Sequence, residues 1–190
     1  MSVILASASP RRKELLEMLG VKDMRIIPAR GEEAPPEGAG PAETVKALAL
    51  AKGREVAALC AEDDIVIAAD TIVWLDGEIF GKPRDTGDAA RMLRRLSGRA
   101  HQVYTGVAVI RGGREECESE MSRVIFRDVD ETEIASYIAT GESMDKAGAY
   151  AAQGRAAVFV RGIDGDFFNV MGLPLCLLDA MLKKQGMYLM

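Results

Sequence analysis

Two adjacent arginines near the start of the chain, Arg11 and Arg12, occupy positions that are unfavourable for cations. They follow an apolar stretch, Val3 to Ala6, and the turn-forming letters "SASP", and an amphipathic pattern begins directly after them. This order predicts a strand, a tight turn and a helix whose first turn carries both guanidinium groups. A helix N-terminus already has unpaired N–H groups and the positive end of the macrodipole. The sequence therefore predicts that an anion binds opposite these arginines.

Other polar side chains at predicted strand ends and in loops indicate which anion this is. Guanidinium and ammonium groups bind phosphate oxygens, and carboxylate oxygens are the ligands that magnesium and manganese prefer. A phosphate chain with its divalent cation would use both kinds of group. The full set comprises Ser7, Ser9, Arg11, Arg12, Glu32, Glu33, Lys52, Asp70, Thr71, Lys82, Asp145, Lys146 and Gln153.

Each of these residues also has a structural interpretation, which the sequence leaves open. Arg11 and Arg12 fit as solvated helix residues, and the Ser9-Pro10 pair is an ordinary helix start in either case. Asp70 would cap the turn after its strand, although the end of a buried strand is also where an α/β sheet presents ligand groups. Lys82 in "FGKPR" is not part of a P-loop. That motif needs a glycine, four spacer residues and then Gly-Lys followed by Ser or Thr, and the chain does not have this pattern.

The residue types disfavour a nucleophilic hydrolase. His101 is the only histidine, it begins a predicted strand, and the chain has no G-x-S-x-G segment. We therefore expect His101 to be structural. An acid–base mechanism would then use a carboxylate, and metal-bound water is the natural nucleophile for it to deprotonate.

Composition restricts the class of protein further. The 190 residues, 48% of them apolar, suffice for one core or for two closely packed lobes. A net charge of −5 argues against binding polymeric nucleic acid. Cys60, Cys117 and Cys176 lie far apart, which predicts reduced thiols rather than a zinc site or disulfides. No apolar run approaches a membrane span or a signal peptide, so we expect a cytoplasmic protein without membrane contact.

The pattern along the chain predicts an α/β fold with a mixed, partly antiparallel sheet. Asp76-Gly77 predicts a hairpin turn, and Asp130 with Glu133 has capping-box spacing. We expect strands at 3–6, 24–29, a run that ends at Asp70, 101–110, 119–129 and 156–160. We expect helices that begin at Pro10, at Pro41 (ending near Cys60), at Thr86 (ending near Leu96), at Asp130 (ending near Ala139) and after Pro174.

Five segments in order and spacing resemble the Maf family of nucleoside triphosphate pyrophosphatases over essentially the whole chain. They are "LASASPRRKELLEMLG", "AADTIVWLDGEIFGKP", "MLRRLSGRAHQVYTGVAV", "MDKAGAYAAQG" and "IDGDFFNVMGLPL". The resemblance implies a mixed central sheet flanked by helices, of the inosine triphosphatase-like (Maf/Ham1) type. It implies one domain over residues 1–190, which can consist of two lobes around a central cleft. It also implies a homodimer.

The resemblance further implies an activity and a role for each matching residue. Family members hydrolyse a nucleoside triphosphate between the α- and β-phosphates with Mg²⁺ or Mn²⁺. Asp70 matches the proton acceptor, and Glu33 and Asp70 are the expected metal ligands. The matching substrate-binding residues are Ser9, Arg11, Arg12, Lys52 and Lys82. Arg12, Thr71 and Gln153 form the combination of the dTTP/UTP subgroup, which also implies modified pyrimidine triphosphates as substrates.

Two alternatives stay open at this point. The segment "AYAAQG" has alanines at 151 and 152, where similar members often have glycine and a bulkier apolar residue, so another non-canonical nucleotide such as a purine analogue is the second candidate substrate. A nucleotide-binding regulator of cell division, acting on septum formation, is the candidate from a different class. Tight nucleotide binding without pyrophosphate release would identify the regulator.

Overall fold

The computed structural model describes residues 1–31 and 36–189. The strands are β1 (Val3–Leu5), β2 (Arg25–Ile26), β3 (Ile65–Leu75), β4 (Glu78–Phe80), β5 (Ala100–Arg111), β6 (Arg114–Phe126) and β7 (Val160–Asp164). The helices are α1 (Pro10–Met18), α2 (Pro41–Ala57), α3 (Thr86–Leu96), α4 (Glu131–Ala139), α5 (Phe167–Met171) and α6 (Leu175–Lys184). None of the helices in the described ranges is both long and apolar enough to cross a bilayer.

The described residues contain one mixed sheet of seven strands, which confirms the predicted fold class. Its order is β2-β1-β3-β5-β6-β7, with β4 paired to β3. β1 is parallel to both β2 and β3, whereas β3 and β4 form an antiparallel hairpin and β6 and β7 are antiparallel. The nearly continuous burial of β3 is typical of a strand that is covered on both faces.

The chain divides into two compact units, each with its own apolar core. The first unit comprises Met1–Asp70, Thr105–Glu120 and Gly172–Met190, and the second comprises Thr71–Tyr104 and Met121–Met171. In the first unit, Ala49 and Val56 of α2 pack against β-strand residues that include Val66, Ala108 and Ile110. In the second unit, α3 and α4 pack against the strands through a cluster that includes Met92, Leu96, Ile134, Val124 and Phe126.

Helix α2 approaches β5 at Gly106 more closely than any side chain permits. A Cβ atom at Gly106 would lie 2.2 Å from the carbonyl oxygen of Val45 and 2.7 Å from the amide nitrogen of Lys46. Both atoms belong to helical backbone, which cannot move aside without displacing the helix. Gly106 therefore fixes how deeply α2, the helix that carries Lys52, is seated in the first unit.

Replacing Gly106 by alanine is expected to destabilise the protein by about 3 kcal/mol, near the upper end of the usual penalty for overpacking. Urea unfolding of the variant and the wild type measures this difference. Gly162→Ala is the matched control, because a Cβ there meets nothing within 4 Å, and we expect its change to stay below about 0.5 kcal/mol. Equal stability of the Gly106 variant and the wild type would contradict the close approach.

Three predictions that rest on local sequence signals are confirmed. Ser9 and Pro10 occupy the N-cap and first position of α1. Asp130 and Glu133 form a complete capping box at α4, in which each side chain accepts a hydrogen bond from the other residue's backbone N–H. Asp76 and Gly77 have φ angles of 51° and 82° and make the turn between β3 and β4.

Several predicted strands have different bounds in the structure. The strand expected at 156–160 is wrong: residues Arg155–Phe159 form a 3₁₀ helix, and β7 begins only at Val160. A short apolar run such as "AAVFV" does not distinguish the two conformations by periodicity. The second strand is limited to Arg25–Ile26, and α2 ends at Ala57 rather than near Cys60.

The strand that was expected to end at Asp70 continues to Leu75, so this prediction is also wrong. Asp70 lies in the middle of β3, and the last three residues of this strand pair with β4, with Val73 opposite Phe80. Hydrogen bonding to β4 keeps this part of the chain extended after the polar residue. The Asp70 carboxylate therefore belongs to a regular, buried strand and not to a turn.

His101 lies in an aromatic cluster of the second unit, which confirms its structural role. Its Nε2 shares a hydrogen bond of 2.8 Å with the hydroxyl of Tyr150, and the ring packs edge-to-face on Phe126 and Tyr150. Burial lowers the pKa of His101 to about 3 and raises the pKa of Tyr150 well above its ordinary value. The imidazole is therefore neutral in the folded protein at neutral pH.

This depressed pKa makes the stability dependent on pH. Between an unfolded pKa of 6.5 and a folded pKa of about 3, only the unfolded state binds the His101 proton, so stability falls as the pH falls through this window. Between pH 7 and pH 5, we expect His101 to reduce the free energy of unfolding by about 2 kcal/mol. Because the chain has one histidine, its single imidazole NMR signal checks the cause. A titration of that signal near pH 6 in the folded protein would contradict the prediction.

Candidate functional site

A buried ion pair in the first unit joins two of the predicted site residues. Lys52 Nζ donates to Asp70 Oδ1 at 2.5 Å, and the two side chains are only 17% and 10% exposed. Lys52 comes from the middle of α2, and Asp70 comes from β3, against which α2 packs. The structure thus places a carboxylate and an ammonium group together in surroundings with little water, where charge interactions are strong.

The N-terminal turn of the first unit is organised around Arg12. Arg12 Nη1 donates to Ser7 Oγ at 3.0 Å, and Arg12 Nε donates to the carbonyl oxygen of Gly172 at 2.8 Å. The backbone N–H of Ser9 also donates to Ser7 Oγ, at 3.2 Å. These contacts fix the plane of the guanidinium group at the start of α1, which has no acidic residue in its first turn. Arg11 follows Pro10 in the same turn and is partly buried.

Ser7 is the residue whose role sequence reasoning left unassigned. It is 8% exposed, and its hydroxyl accepts hydrogen bonds from both Ser9 and Arg12. The repeated small residues in "LASASP" are the signal that could have identified it, because a buried serine in a tight turn requires hydrogen-bond partners. The Gly172 carbonyl has no such signal, since it is 160 residues away from Arg12.

In the second unit, Lys82 and Lys146 lie on two segments that are joined by a backbone hydrogen bond. The N–H of Gly148 donates to the carbonyl oxygen of Gly81 at 3.0 Å. Lys82 is exposed and follows β4, whereas the Lys146 side chain is 17% exposed and forms an ion pair with Asp145. Both lysines therefore lie within two residues of the same hydrogen bond.

The predicted specificity residues of the second unit are Thr71 and Gln153. Thr71 lies on β3 and is partly buried, and Gln153 is exposed in the bend at Ala152–Gly154. The hydroxyl and the amide can each donate and accept hydrogen bonds, as recognition of a base edge requires.

The predicted metal ligands are described only in part. Glu32 and Glu33 lie outside the described residues, so the role of Glu33 stays a prediction. Within residues 1–31 and 36–189, no group of three or more His, Cys, Asp or Glu side chains is arranged to hold a metal ion. Mg²⁺ commonly binds through one or two carboxylates together with substrate phosphates and water, so a site that uses Asp70 needs no such group.

Two side chains that could take part in nucleophilic catalysis, Cys117 and His101, are poorly suited to that role. Burial raises the pKa of Cys117 to about 11, and its thiol donates to the carbonyl oxygen of Lys46 at 3.3 Å. The Cys117 thiol is therefore protonated and unreactive at neutral pH. Cys60, Cys117 and Cys176 are free thiols, as predicted. His101 is neutral and buried, so among the residues discussed the Asp70 carboxylate is the group best placed for acid–base chemistry.

Comparison with known proteins gives full-length matches. The family model described as Maf-like protein matches residues 2–185. A dTTP/UTP pyrophosphatase of Pelotomaculum thermopropionicum is 52% identical over 186 residues, which cover 97% of this chain and 96% of the relative. A dTTP/UTP pyrophosphatase of Moorella thermoacetica is 50% identical over 186 residues, covering 97% and 95% of the two chains.

Solved structures support the fold. The Staphylococcus aureus Ham1 protein matches with a TM-score of 0.53 at 13% identity. The match covers 97% of this chain and 100% of the Ham1 chain. A HAM1 protein from Coxiella burnetii has a TM-score of 0.53 at 14% identity, with 97% and 99% coverage. At such low identity these likenesses show the fold alone, and they confirm the predicted Maf/Ham1 type.

Proposed function

Because the chain belongs to the Maf-like protein family, we propose that it is a nucleoside triphosphate pyrophosphatase that acts on dTTP and UTP. The observation that carries this proposal is identity of 50% to 52%, over nearly the full length, with relatives named dTTP/UTP pyrophosphatase. The buried pair of Lys52 and Asp70 supports it, because a carboxylate can accept the proton of an attacking water and an ammonium group can neutralise phosphate oxygens.

The cations of the first unit would neutralise the triphosphate. Arg12 is held in place by Ser7 and Gly172, so its guanidinium loses little freedom when it binds a phosphate oxygen. Arg11 and the N–H groups at the start of α1 add positive potential. Lys52 would supply an ammonium group, and Ser9 and Lys82 would make the further contacts with the substrate that the family resemblance implies.

Asp70 would act as the proton acceptor. It orients a water molecule and takes its proton while the water oxygen attacks the α-phosphorus. The bond from the α-phosphorus to the bridging oxygen breaks, and pyrophosphate leaves with the bonding electron pair. Negative charge on the leaving group grows in the transition state. Fixed cations therefore stabilise the transition state more than they stabilise the bound substrate, and this difference lowers the barrier. The hydrogen bond from Lys52 Nζ holds the carboxylate in a fixed position.

A divalent cation, Mg²⁺ or Mn²⁺, is part of the proposal. Carboxylate oxygens suit such ions, so Asp70 and Glu33 would hold it together with phosphate oxygens of the substrate. When bound, the ion supplies charge neutralisation at the phosphates. We expect a chelator to reduce formation of dTMP from dTTP by at least about 100-fold, measured by ion-exchange chromatography of the products, and added Mg²⁺ to restore it. Full turnover in excess chelator would contradict the metal requirement.

Base selection is assigned to Thr71, Gln153 and Arg12. A glutamine amide can donate to one group of the uracil or thymine edge and accept from the N3–H beside it. Cytosine presents the reverse pattern at these positions, so an amide that is held in one orientation leaves its polar groups unmatched, and a purine is larger. Modified pyrimidine triphosphates that keep this edge are expected to be substrates as well.

A panel of normal and modified nucleoside triphosphates tests the proposed function. We expect pyrophosphate release from dTTP and UTP and little from dATP, GTP or dCTP. Activity confined to purine analogues would keep the reaction and overturn the substrate assignment. Nucleotide binding without turnover of any substrate would instead favour the regulator of cell division.

Two further features implied by the family stay predictions. We expect a homodimer, which sedimentation analysis measures directly, and a cytoplasmic location, which imaging of a tagged protein in cells measures. Neither is needed for the roles of Asp70 and Lys52 described above.

A further inference from the structure

The segment that carries Gln153 is tied at both ends to one pair of side chains. The backbone N–H of Ala151 donates to the hydroxyl of Tyr137 at 3.2 Å. The backbone N–H of Arg155 donates to both carboxylate oxygens of Glu142, at 3.1 and 3.2 Å. Tyr137 in turn donates its hydroxyl proton to Glu142 Oε1 at 3.0 Å. These contacts form a continuous connection, the Tyr137–Glu142 bridge, that closes the segment 151–155.

The bridge stands on rigid supports. Tyr137 is 4% exposed at the end of α4 and packs edge-to-face on Phe159, with ring centroids 5.4 Å apart. Glu142 is held by the turn after α4, because its backbone N–H donates to Thr140 Oγ1, which donates to the carbonyl oxygen of Tyr137 at 2.6 Å. The Tyr137 ring and the Glu142 backbone are therefore held by contacts outside the segment, and the Tyr137 hydroxyl orients the Glu142 carboxylate.

The segment leads into the 3₁₀ helix Arg155–Phe159, and the carbonyl oxygen of Gly154 accepts a hydrogen bond from the N–H of Ala157 at 3.1 Å. Residues Ala152–Gly154 form a bend without regular secondary structure, and Gln153 at its centre is exposed. Glu142 reaches Arg155 by passing close to Gly154, where a Cβ atom would lie 2.5 Å from Glu142 Oε1. Ala151 is 2% exposed, so its N–H would be buried without a partner if the Tyr137 hydroxyl were absent.

We propose that Tyr137 and Glu142 are positioning residues that set nucleotide selectivity by fixing the backbone on either side of Gln153. This inference rests on the proposed function, in which Gln153 contacts the base. A hydrogen-bonding side chain discriminates between bases only if its position is constrained to a fraction of an ångström. The bridge supplies that constraint from outside the segment, and neither of its side chains needs to contact the nucleotide.

The test measures the ratio of kcat/KM for dTTP to that for dCTP, two substrates that differ mainly along the base edge. We expect Tyr137→Phe to lower this ratio about fivefold, because the ring keeps its packing while the bridge loses its hydroxyl. Gln153→Ala should lower the ratio about tenfold. In the Gln153→Ala background, Tyr137→Phe should change the ratio by less than about twofold. Tyr137 acts on selectivity through Gln153, so the effects of the two substitutions should not add.

Ser97→Ala is the matched control in the same unit. The Ser97 hydroxyl also donates one hydrogen bond, to the carbonyl oxygen of Val129, and accepts one, from the N–H of Val129. Both hydrogen bonds join Ser97 to Val129 and not to the segment 151–155. We expect this control to lower the melting temperature about as much as Tyr137→Phe and to leave the dTTP to dCTP ratio unchanged. If Tyr137→Phe does not fold, Glu142→Ala carries the same test.

Each result decides the inference. An unchanged ratio in Tyr137→Phe, or the same fivefold loss with and without Gln153, would overturn it. An unchanged ratio in Gln153→Ala would overturn it as well, while the pyrophosphatase activity of the wild type would still stand. If the wild type released no pyrophosphate from any nucleotide, the proposed function would fail. The role of the Tyr137–Glu142 bridge would then be tested by the ratio of Kd values for dTTP and dCTP, measured for Tyr137→Phe with and without Gln153→Ala.

Discussion

Asp70→Asn is expected to lower kcat for dTTP hydrolysis about 1,000-fold, within the range that general bases contribute. Asparagine has nearly the same shape, so β3 and its pairing should be retained, but an amide cannot accept the proton of the attacking water. KM should change much less than kcat, because the loss concerns the transition state. Initial rates of pyrophosphate release measure the effect, with thermal unfolding as the check on folding.

The control for this variant is Asp63→Asn, which removes a carboxylate that is 62% exposed and pairs with the N-terminal ammonium group. It should retain wild-type kcat within about twofold, since surface pairs contribute little. If Asp70→Asn kept more than a tenth of the wild-type kcat while remaining folded, Asp70 would not be the proton acceptor.

Lys52→Ala should have the second largest effect, lowering kcat/KM about 100-fold. The substitution removes an ammonium group that both neutralises phosphate and holds Asp70, and it leaves the carboxylate buried without this partner. Lys52→Arg should recover part of the activity, because the charge is kept although its geometry differs. Steady-state kinetics with dTTP measure both variants.

Lys183→Ala is the matched control, since Lys183 is half-exposed on α6 and pairs with Asp179 one turn away. Its kinetics should equal those of the wild type. Activity of Lys52→Ala within threefold of the wild type would show that the buried ion pair is structural and that the phosphate chain is neutralised by other groups.

What the sequence predicted correctly was encoded in short segments. The start of α1 at Ser9 and Pro10, the capping box at Asp130 and Glu133 and the Asp76-Gly77 turn each depend on neighbouring residues only. Backbone sterics and capping hydrogen bonds act over such distances, so these features can be read without the tertiary structure.

What the sequence did not predict depends on residues that are far apart along the chain. Lys52 and Asp70 were both identified as site residues, but their direct contact follows from the packing of α2 on β3. The extension of β3 past Asp70 depends on pairing with β4, and the 3₁₀ helix at Arg155–Phe159 depends on an aromatic core that local propensity does not encode.

The same limit applies to selectivity. The family resemblance singled out Gln153, whereas Tyr137 and Glu142 drew no attention as an ordinary helix tyrosine and a loop acid. Their importance is visible only because α4 and the turn after it place them against the two ends of the segment 151–155. Residues that fix the backbone around a specificity side chain are therefore easier to identify from the structure than from sequence motifs.

The position of bond cleavage tests the central proposal most directly. Hydrolysis of dTTP in H₂¹⁸O, followed by mass spectrometry of the products, reveals which phosphorus the water attacks. We predict dTMP that carries one ¹⁸O atom and pyrophosphate that carries none, with loss of both products in Asp70→Asn. Formation of dTDP and phosphate, or of labelled pyrophosphate with unlabelled dTMP, would contradict attack at the α-phosphorus.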